Sequence, residues 1–395
     1  MRYIIIGAGA IGSIIAKDIA LEDDTKEVCI ADIHLDFAKD LADEIGAKAT
    51  ARKLDLYDDK MVREAIRGFD VVVNSAGPFY KTARHIIEAC IDEKVDYMDI
   101  ADDSSAVNIL LEYDDRCKEA EISALICMGV SPGTTNMLGL LGSEVLDTTD
   151  EIHTNWVVSS FTESNKYRNL GATYYHAIEM STGTNPQFID GEMVEVPSAT
   201  GGKDIPFGSP LGMYPAHYVG HGEPITLAEH IKGVKTVTNR GNLWPIEGDV
   251  SNLRVFEQLG ISQLEPINVA GVEVSRRDVG VALLLQPLEG APESLPEGVQ
   301  DVGFQVHVEV IGQKDNQDMT LEYTLFTEMN PATALSASYG AQYVAKHKGK
   351  MFGILAPEQY IETKDYFEHM KTKGFDIYVS TTTDKGQTKP EPLNV

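Results

Sequence analysis

The glycine-rich turn near the start of the chain is the sequence feature that most restricts its fold. The motif Gly-Ala-Gly-Ala-Ile-Gly occupies residues 7–12, directly after the apolar run 3–6 and at the start of a helical pattern over 12–21. In this setting the first glycine permits a tight turn, the second lets the backbone approach a pyrophosphate, and the third lets helix and strand pack closely. Free N–H groups at the helix N-terminus then bind the phosphates. The turn therefore predicts a dinucleotide-binding domain whose contacts to the cofactor include Gly7, Gly9, Ala10, Ile11 and Gly12.

The first third of the chain alternates short apolar runs with longer amphipathic stretches. Continuous apolar runs are typical of parallel strands buried on both faces, and the stretches between them fit crossover helices. Six strands in this arrangement predict a doubly wound parallel sheet of the Rossmann type. The predicted strands are 3–6, 27–31, 51–54, 71–74, 97–100 and 123–127. The predicted helices are 12–21, 35–45, 59–66, 82–93 and 106–120.

Asp32 stands at the end of the second predicted strand, twenty residues after Gly12. A carboxylate at this place accepts hydrogen bonds from the adenosine ribose hydroxyls and repels a 2′-phosphate. No arginine follows it directly, since the next residues are Ile33, His34 and Leu35. The sequence therefore predicts NAD rather than NADP as the cofactor. The alternative is a glycine turn without a ligand, in which Asp32 caps the following helix.

Further cofactor contacts are expected where other strands end, because ligands of such sheets lie at the carboxyl ends of the strands. Asp55 and Leu56 follow the third strand and are predicted to flank the adenine. The segment after the fourth strand is predicted to line the path to the nicotinamide, through Asn74, Ala76, Gly77 and Pro78.

The composition changes after the sixth predicted strand, where we place a domain boundary. Beyond it, residues 306–310 and 321–325 alternate apolar with polar side chains, which indicates an antiparallel sheet. The Gly- and Pro-rich tract 186–215 is predicted to be a long loop. Helices at 332–346 and 364–372 are expected to return the chain to the first domain. The predicted fold is α/β, with a Rossmann domain at 1–130, an inserted α+β domain with a largely antiparallel sheet at 131–330, and C-terminal helices at 331–395.

The composition excludes several classes of partner. Sixty-one acidic residues against 33 basic ones give a formal net charge of -28, which would repel nucleic acid and anionic membranes. The four cysteines show no C-x-x-C spacing, and the acidic residues form no calcium loop, so neither disulfides nor a metal are expected. No apolar run reaches membrane-spanning length, and the N-terminal residues lack the pattern of a signal peptide. A cytoplasmic protein with a small-molecule substrate is predicted.

Several separated motifs resemble the saccharopine dehydrogenase family, which includes saccharopine reductases, lysine 6-dehydrogenases and carboxynorspermidine dehydrogenases. They are residues 7–12; 71–79, with the sequence Val-Val-Val-Asn-Ser-Ala-Gly-Pro-Phe; 97–102; 129–133 with Asn136; and 353–358, followed by 366–367 and 373–374. The resemblance implies a Rossmann domain closed by C-terminal helices, an inserted domain for substrate binding and homodimer formation, and reversible oxidation of a C–N bond.

The resemblance also implies where substrate binds. Relatives carry a Thr-x-Arg-Tyr-x-Gly segment whose arginine meets a substrate carboxylate, and this chain has Thr238-Asn239-Arg240-Gly241-Asn242, without the aromatic residue. Arg240 and Asn239 are therefore predicted to bind substrate, together with Phe79 beside the nicotinamide path. A guanidinium suits a carboxylate because it donates two parallel hydrogen bonds.

Oxidation of an amine needs a group that takes the ammonium proton. Asp102 and Asp103 follow the fifth strand and could bind or deprotonate a cationic amine, although an acidic helix cap is an equally good interpretation. Tyr80 could donate a hydrogen bond to substrate or simply pack beside the cofactor. His217 and His221 lie in a predicted loop, 214–222, and could shuttle a proton or have no role.

Three functions are compatible with these residues. The first is an NAD-dependent oxidoreductase acting on the C–N bond of an amino acid or related amine, in the manner of lysine 6-dehydrogenase. The second is a dehydrogenase of the saccharopine or carboxynorspermidine type, which condenses an amine with a carbonyl compound reductively. The third is an NAD-binding sensor or scaffold without catalysis.

Overall fold

The computed structural model describes residues 1–159, 172–244, 250–284 and 302–394. The chain divides into two compact units. The first unit contains Met1–Leu140 and Asn330–Phe375, and the second contains Leu141–Met329 and Asp376–Asn394. Both units are therefore assembled from separate segments of the chain.

The first unit is built on a parallel sheet of seven strands in the order β17-β6-β5-β4-β1-β2-β3. Elements are numbered along the whole chain. The strands are β1 (Arg2–Ile6), β2 (Glu27–Asp32), β3 (Ala49–Lys53), β4 (Val71–Asn74), β5 (Asp96–Asp99), β6 (Ser123–Leu125) and β17 (Gly353–Leu355). Because β1 and β4 are neighbours, the strand order reverses between them, as in a doubly wound fold. The predicted Rossmann-type sheet is confirmed, and β17 extends it by a strand too short to predict.

Helices flank this sheet through amphipathic faces whose apolar residues are buried. They are α1 (Ala10–Leu21), α2 (Leu35–Ile45), α3 (Asp59–Ile66), α4 (Phe79–Glu93), α5 (Ser104–Leu111), α6 (Asp114–Ala120), α7 (Thr134–Val145), α12 (Met329–Lys346), α13 (Pro357–Tyr360) and α14 (Thr363–Thr372). The single helix predicted at 106–120 is two helices, α5 and α6. No helix within the described ranges is both long and apolar enough to cross a membrane.

The C-terminal part of the first unit is tied to α1 and α7 by buried polar contacts. Asp18 of α1 accepts hydrogen bonds from Ser338 Oγ (2.6 Å) and Lys373 Nζ (2.7 Å). The hydroxyl of Tyr366 lies 2.6 Å from Thr134 Oγ1. The side chain of Asn136 donates to Glu358 Oε2 at 3.0 Å. The separated motifs at 129–136, 353–358 and 366–374 therefore meet in space.

The second unit contains a mixed sheet, which is largely antiparallel as predicted. Its central order is β10-β11-β12-β7-β15-β16-β18, and only the pair of β12 and β7 is parallel among its described pairings. Its strands are β7 (Thr148–Ser159), β8 (Thr184–Ile189), β9 (Glu192–Pro197), β10 (Lys203–Pro206), β11 (Met213–Tyr218), β12 (Thr236–Trp244), β15 (Phe304–Lys314), β16 (Gln317–Thr327), β18 (Ile377–Thr383), β19 (Gly386–Gln387) and β20 (Glu391–Pro392). A separate hairpin comprises β13 (Ile267–Val269) and β14 (Val272–Val274), and the helices are α8 (Ala172–Ser181), α9 (Glu223–His230), α10 (Arg254–Gln258) and α11 (Arg276–Leu284).

Two predictions for this region are wrong. The tract 186–215 is not one long loop, because it contains β9 and β10 and parts of β8 and β11. Asp190 and Gly191 both have positive φ and form a two-residue turn between β8 and β9, a hairpin signal that the Gly and Pro content obscured. The last part of 331–395 also does not return to the first unit as helix, because β18 pairs with β16 in the second sheet.

Candidate functional site

The turn between β1 and α1 has the geometry that its glycines predict. Gly7 has φ +104°, and its N–H donates to Ala31 O at 2.8 Å. A Cβ on Gly12 would lie 2.0 Å from the carbonyl oxygen of Gly7, so only glycine allows this approach. Helix α1 begins at Ala10 after Gly9, and no side chain caps it. Its first N–H groups therefore point to the carboxyl edge of the sheet, where a phosphate would accept from them.

Ser75 fixes this turn from the neighbouring strand, a role that the sequence analysis missed. Its backbone N–H donates to Ile6 O at 2.9 Å, and its hydroxyl lies 3.0 Å from Ile6 O and 3.2 Å from Gly7 O. The serine thus cross-links the ends of β1 and β4, between which the sheet reverses its strand order. The position of Ser75 directly after a buried strand is the sequence signal that could have indicated this role.

Asp32 is oriented by two backbone donors. Its Oδ2 accepts from Ala8 N at 2.8 Å, and its Oδ1 accepts from His34 N at 2.7 Å. The residue that precedes α2 is His34, so Asp32 is not the cap of that helix. Each carboxylate oxygen keeps a further lone pair for a ribose hydroxyl. Lys53 is paired with Asp32 in the sheet register, and this exposed cation was also missed.

The other predicted cofactor residues lie at the same edge of the sheet. Asp55 and Leu56 are half-buried after β3, where Asp55 Oδ1 accepts from Tyr57 N at 3.0 Å. The loop after β4, residues 74–78, is held from within, because Asn74 Oδ1 accepts from Ala76 N at 3.1 Å. From α4, the hydroxyl of Thr82 donates to Ala76 O at 2.7 Å. Gly77 and Pro78 complete this loop, and their contact with a nicotinamide stays a prediction.

Four predicted substrate or catalytic residues lie in the first unit. Phe79 and Tyr80 form the first turn of α4, with Phe79 buried and Tyr80 half-buried. Asp102 is half-buried after β5. Asp103 is buried and occupies the N-cap position of α5, yet its carboxylate makes no capping hydrogen bond. The capping interpretation therefore does not account for the side chain of Asp103, and its catalytic role stays a prediction.

Asn239 and Arg240 lie side by side on β12 and therefore point to opposite faces of the sheet. Asn239 is fully buried; its Oδ1 accepts from Trp156 Nε1 at 3.2 Å, and its Nδ2 donates to Thr154 Oγ1 at 2.9 Å. The two side chains therefore lie on opposite faces of β12, and their roles in substrate binding stay predictions.

Arg240 is buried and already engaged. Its guanidinium donates to Tyr218 OH (2.6 Å), Thr238 Oγ1 (2.9 Å) and Gly201 O (3.4 Å), and it stacks 4.1 Å from the centre of the Tyr218 ring. Burial lowers the pKa of Arg240 from its ordinary value. These contacts show that the side chain organises the sheet, whether or not it also meets a carboxylate.

Replacing Arg240 with lysine should therefore lower the free energy of unfolding by about 1.5–3 kcal/mol. The three acceptors are met by three separate nitrogens of the planar guanidinium, whereas the ammonium of lysine donates from a single atom and cannot stack on the ring in the same way. Urea denaturation measures this change. Arg254→Lys, at an exposed position, is the matched control and should change stability by less than about 0.5 kcal/mol. Unchanged stability of Arg240→Lys with a raised KM for substrate would instead support carboxylate binding alone.

The structure distinguishes the two histidines that sequence analysis grouped. His217 lies on β11 rather than in a loop, is half-buried and packs against Gly202. His221 is 3% exposed, stacks on Trp156 with ring centres 5.2 Å apart, and has Nδ1 3.4 Å from Glu223 Oε2. Of the two histidines, His221 is the more buried, and it lies beside a buried carboxylate.

Comparison with known proteins supports the resemblance that the sequence motifs predict. Residues 3–125 match the model of the saccharopine dehydrogenase NADP binding domain. The chain is 24% identical to carboxyaminopropylagmatine dehydrogenase of Synechocystis over 88% of its length and 86% of that protein. The predicted resemblance to the saccharopine dehydrogenase family is confirmed, and residues 3–125 form an NAD(P)-binding domain of that type.

A solved structure has the same fold as this chain. Apo saccharopine dehydrogenase (L-Glu forming) of Saccharomyces cerevisiae matches 96% of this chain and 99% of its own, with a TM-score of 0.67 and 16% identity. This likeness shows that this chain and the yeast protein share a fold over nearly their whole lengths. The matched domain is named for NADP binding, and this match does not determine whether the chain binds NAD or NADP.

Proposed function

We propose that the protein is a dehydrogenase acting on the C–N bond of a secondary amine that carries a carboxylate. The observation that supports this best is the similarity to carboxyaminopropylagmatine dehydrogenase over most of both chains. In the reductive direction, an amine and an aldehyde form an imine and water; hydride then adds to the imine carbon and a proton to its nitrogen. This proposal favours the condensation reaction over oxidation of lysine at its ε-carbon.

The described residues suit the parts of this reaction that a protein must perform. The turn at Gly7–Gly12 and Asp32 would hold the pyrophosphate and ribose, and the bound nicotinamide cofactor supplies the hydride. Asp102 and Asp103 would attract the cationic amine. One of these two carboxyl groups would hold the proton that moves to or from nitrogen.

We further propose that NAD is preferred, because Asp32 is fixed by two backbone N–H groups and its charge would repel a 2′-phosphate. Lys53 opposes this preference only in part, since it is exposed and screened by solvent. The second unit is expected to form a homodimer interface, which light scattering of the purified protein would test.

The first test follows absorbance at 340 nm with NADH or NADPH and pairs of amines and carboxylated aldehydes. The oxidative panel should include saccharopine, carboxylated polyamines, carboxyaminopropylagmatine and lysine. Turnover of a carboxylated secondary amine is expected. Turnover of lysine alone would favour the lysine 6-dehydrogenase type, and NAD binding without turnover of any panel member would favour the sensor or scaffold.

A further inference from the structure

A chain of buried polar groups joins the carboxyl ends of β4, β5 and β6. Asn74 Nδ2 donates to Tyr97 OH at 3.1 Å, and Tyr97 OH donates to Asp99 Oδ2 at 2.8 Å. The other oxygen of Asp99 accepts from Ala101 N at 3.0 Å and from Cys127 N at 2.9 Å. We call this set the Asp99 network.

The Asp99 network lies wholly in the protein interior, since the side chains of Asn74, Tyr97 and Asp99 are all fully buried. Loss of one acceptor there leaves a buried donor without a partner, which is costly. Cys127 adds a further demand because its φ is +61°, in the left-handed region that non-glycine residues avoid. The hydrogen bond from its N–H to Asp99 helps to hold that conformation.

The location of the network points to its role. In a doubly wound fold the two halves of a dinucleotide bind on either side of the point where the strand order reverses. Here β1, β2 and β3 form the half that carries the glycine turn and Asp32. The Asp99 network underlies the other half, and through Asn74 it reaches the backbone of Ala76 in the loop after β4.

We propose that Asp99 is a positioning residue for the nicotinamide half of the cofactor, acting through Tyr97 and Asn74 on the loops that follow β4, β5 and β6. This inference rests on the proposed cofactor binding. Asp99 touches neither substrate nor cofactor in this proposal. It fixes the backbone against which the nicotinamide would lie, whereas the adenosine half depends on residues of the other half of the sheet.

The charge of Asp99 should make this positioning depend on pH. Burial raises the pKa of Asp99 to about 6, against the lowering effect of its three hydrogen bonds. The ionised carboxylate accepts all three, whereas a carboxyl protonated on Oδ2 would donate to the Tyr97 hydroxyl and so reverse that hydrogen bond. The titratable groups that act on Asp99 and Tyr97 are Asp102 and the thiol of Cys90, besides these two residues themselves. Burial raises the pKa values of Tyr97 and Cys90 well above their ordinary ranges.

The pH dependence expected for cofactor positioning is opposite in sign to the pH dependence of global stability. Because the folded-state pKa of Asp99 is raised, its contribution to global stability is full below the unfolded pKa near 4 and is lost as pH rises through about 6. Positioning changes in the opposite direction and improves as Asp99 ionises. A loss of cofactor affinity below about pH 6 would therefore not reflect general destabilisation by this group.

The test compares Asp99→Asn with the wild-type protein by calorimetric binding of NADH and of ADP-ribose, which lacks the nicotinamide. Asp99→Asn should weaken NADH binding about tenfold and leave ADP-ribose binding within about twofold. The affinity of the wild type for NADH should fall below about pH 6, and this pH dependence should be absent in Asp99→Asn. The matched control is Asp96→Asn, a buried carboxylate at the amino end of the same strand, which accepts from Ser123 N at 2.9 Å. It should leave both affinities unchanged.

A second variant keeps the proposal testable if Asp99→Asn does not fold. Tyr97→Phe breaks the link between Asp99 and Asn74 and should likewise weaken NADH binding without affecting ADP-ribose. Equal weakening of both ligands, unchanged NADH binding, or a pH dependence that persists in Asp99→Asn would overturn the proposal. Absence of NADH and NADPH binding by the wild type at every pH would contradict cofactor binding itself, a different and recognisable failure.

Discussion

Replacing Gly12 with alanine is expected to weaken binding of the dinucleotide severely. The added methyl would lie 2.0 Å from Gly7 O and 2.5 Å from Ser75 Oγ, so the backbone of the turn must move. Overpacking of this kind costs about 3 kcal/mol, and a displaced turn no longer brings its N–H groups to the pyrophosphate. Calorimetric titration should show an affinity loss of at least about a hundredfold, since 1.4 kcal/mol corresponds to a factor of ten.

A control must distinguish this loss from general destabilisation. Gly46 has φ +87° at the end of α2, and a Cβ there would meet no atom within 4 Å. Gly46→Ala should lower stability by about 1–3 kcal/mol through backbone strain alone and leave cofactor affinity unchanged. If Gly12→Ala binds NAD(P) as tightly as the wild type, the phosphates do not lie at this turn.

Replacing Asp32 with serine should weaken NAD binding and strengthen NADP binding. The carboxylate offers charge-assisted hydrogen bonds to the ribose, each contributing about 1.5–3 kcal/mol, and serine retains only a weaker acceptor. Serine also removes the charge that repels a 2′-phosphate. Lys53 lies beside this position on the paired strand. The ratio of NAD to NADP affinity should fall by roughly a hundredfold, measured by titration at fixed ionic strength.

Asp36→Ser provides the matched control for this change. Asp36 is exposed in the first turn of α2, so its replacement alters the net charge equally but leaves the hydrogen bonds of Asp32 intact. The affinity ratio should change by less than about twofold in this variant. Unchanged affinities of Asp32→Ser for both cofactors would remove Asp32 from the ribose site.

The first sheet could be predicted because its signals are local. Its buried strands are continuous apolar runs, and the glycine turn carries its own strand and helix on either side. The short strand β17 could not be predicted, since three residues carry no periodicity and its pairing partner lies about 230 residues earlier. The pairing of β18 with β16 is likewise a long-range contact that no local sequence pattern predicts.

The candidate site was predicted less completely, because side-chain partners depend on the tertiary fold. Asp32 and Asn74 follow strands and were therefore visible, whereas Tyr97 and Asp99 look like ordinary strand residues until their contacts are known. The opposite orientations of Asn239 and Arg240 follow from the period of a strand, but only after β12 is recognised as one. The His221–Glu223 pair depends on burial, which two nearby sequence positions do not reveal.

The first unit is completed by residues near the end of the chain, and this matters during synthesis on the ribosome. Asp18 contacts Ser338 and Lys373, and strand β6 pairs on its outer side with Gly353–Leu355. All of these partners are made long after the glycine turn has emerged. During elongation the nascent sheet therefore exposes an unpaired edge, a known hazard for association with other chains. A protein released early from the ribosome would carry the cofactor motif without the helices that complete its domain.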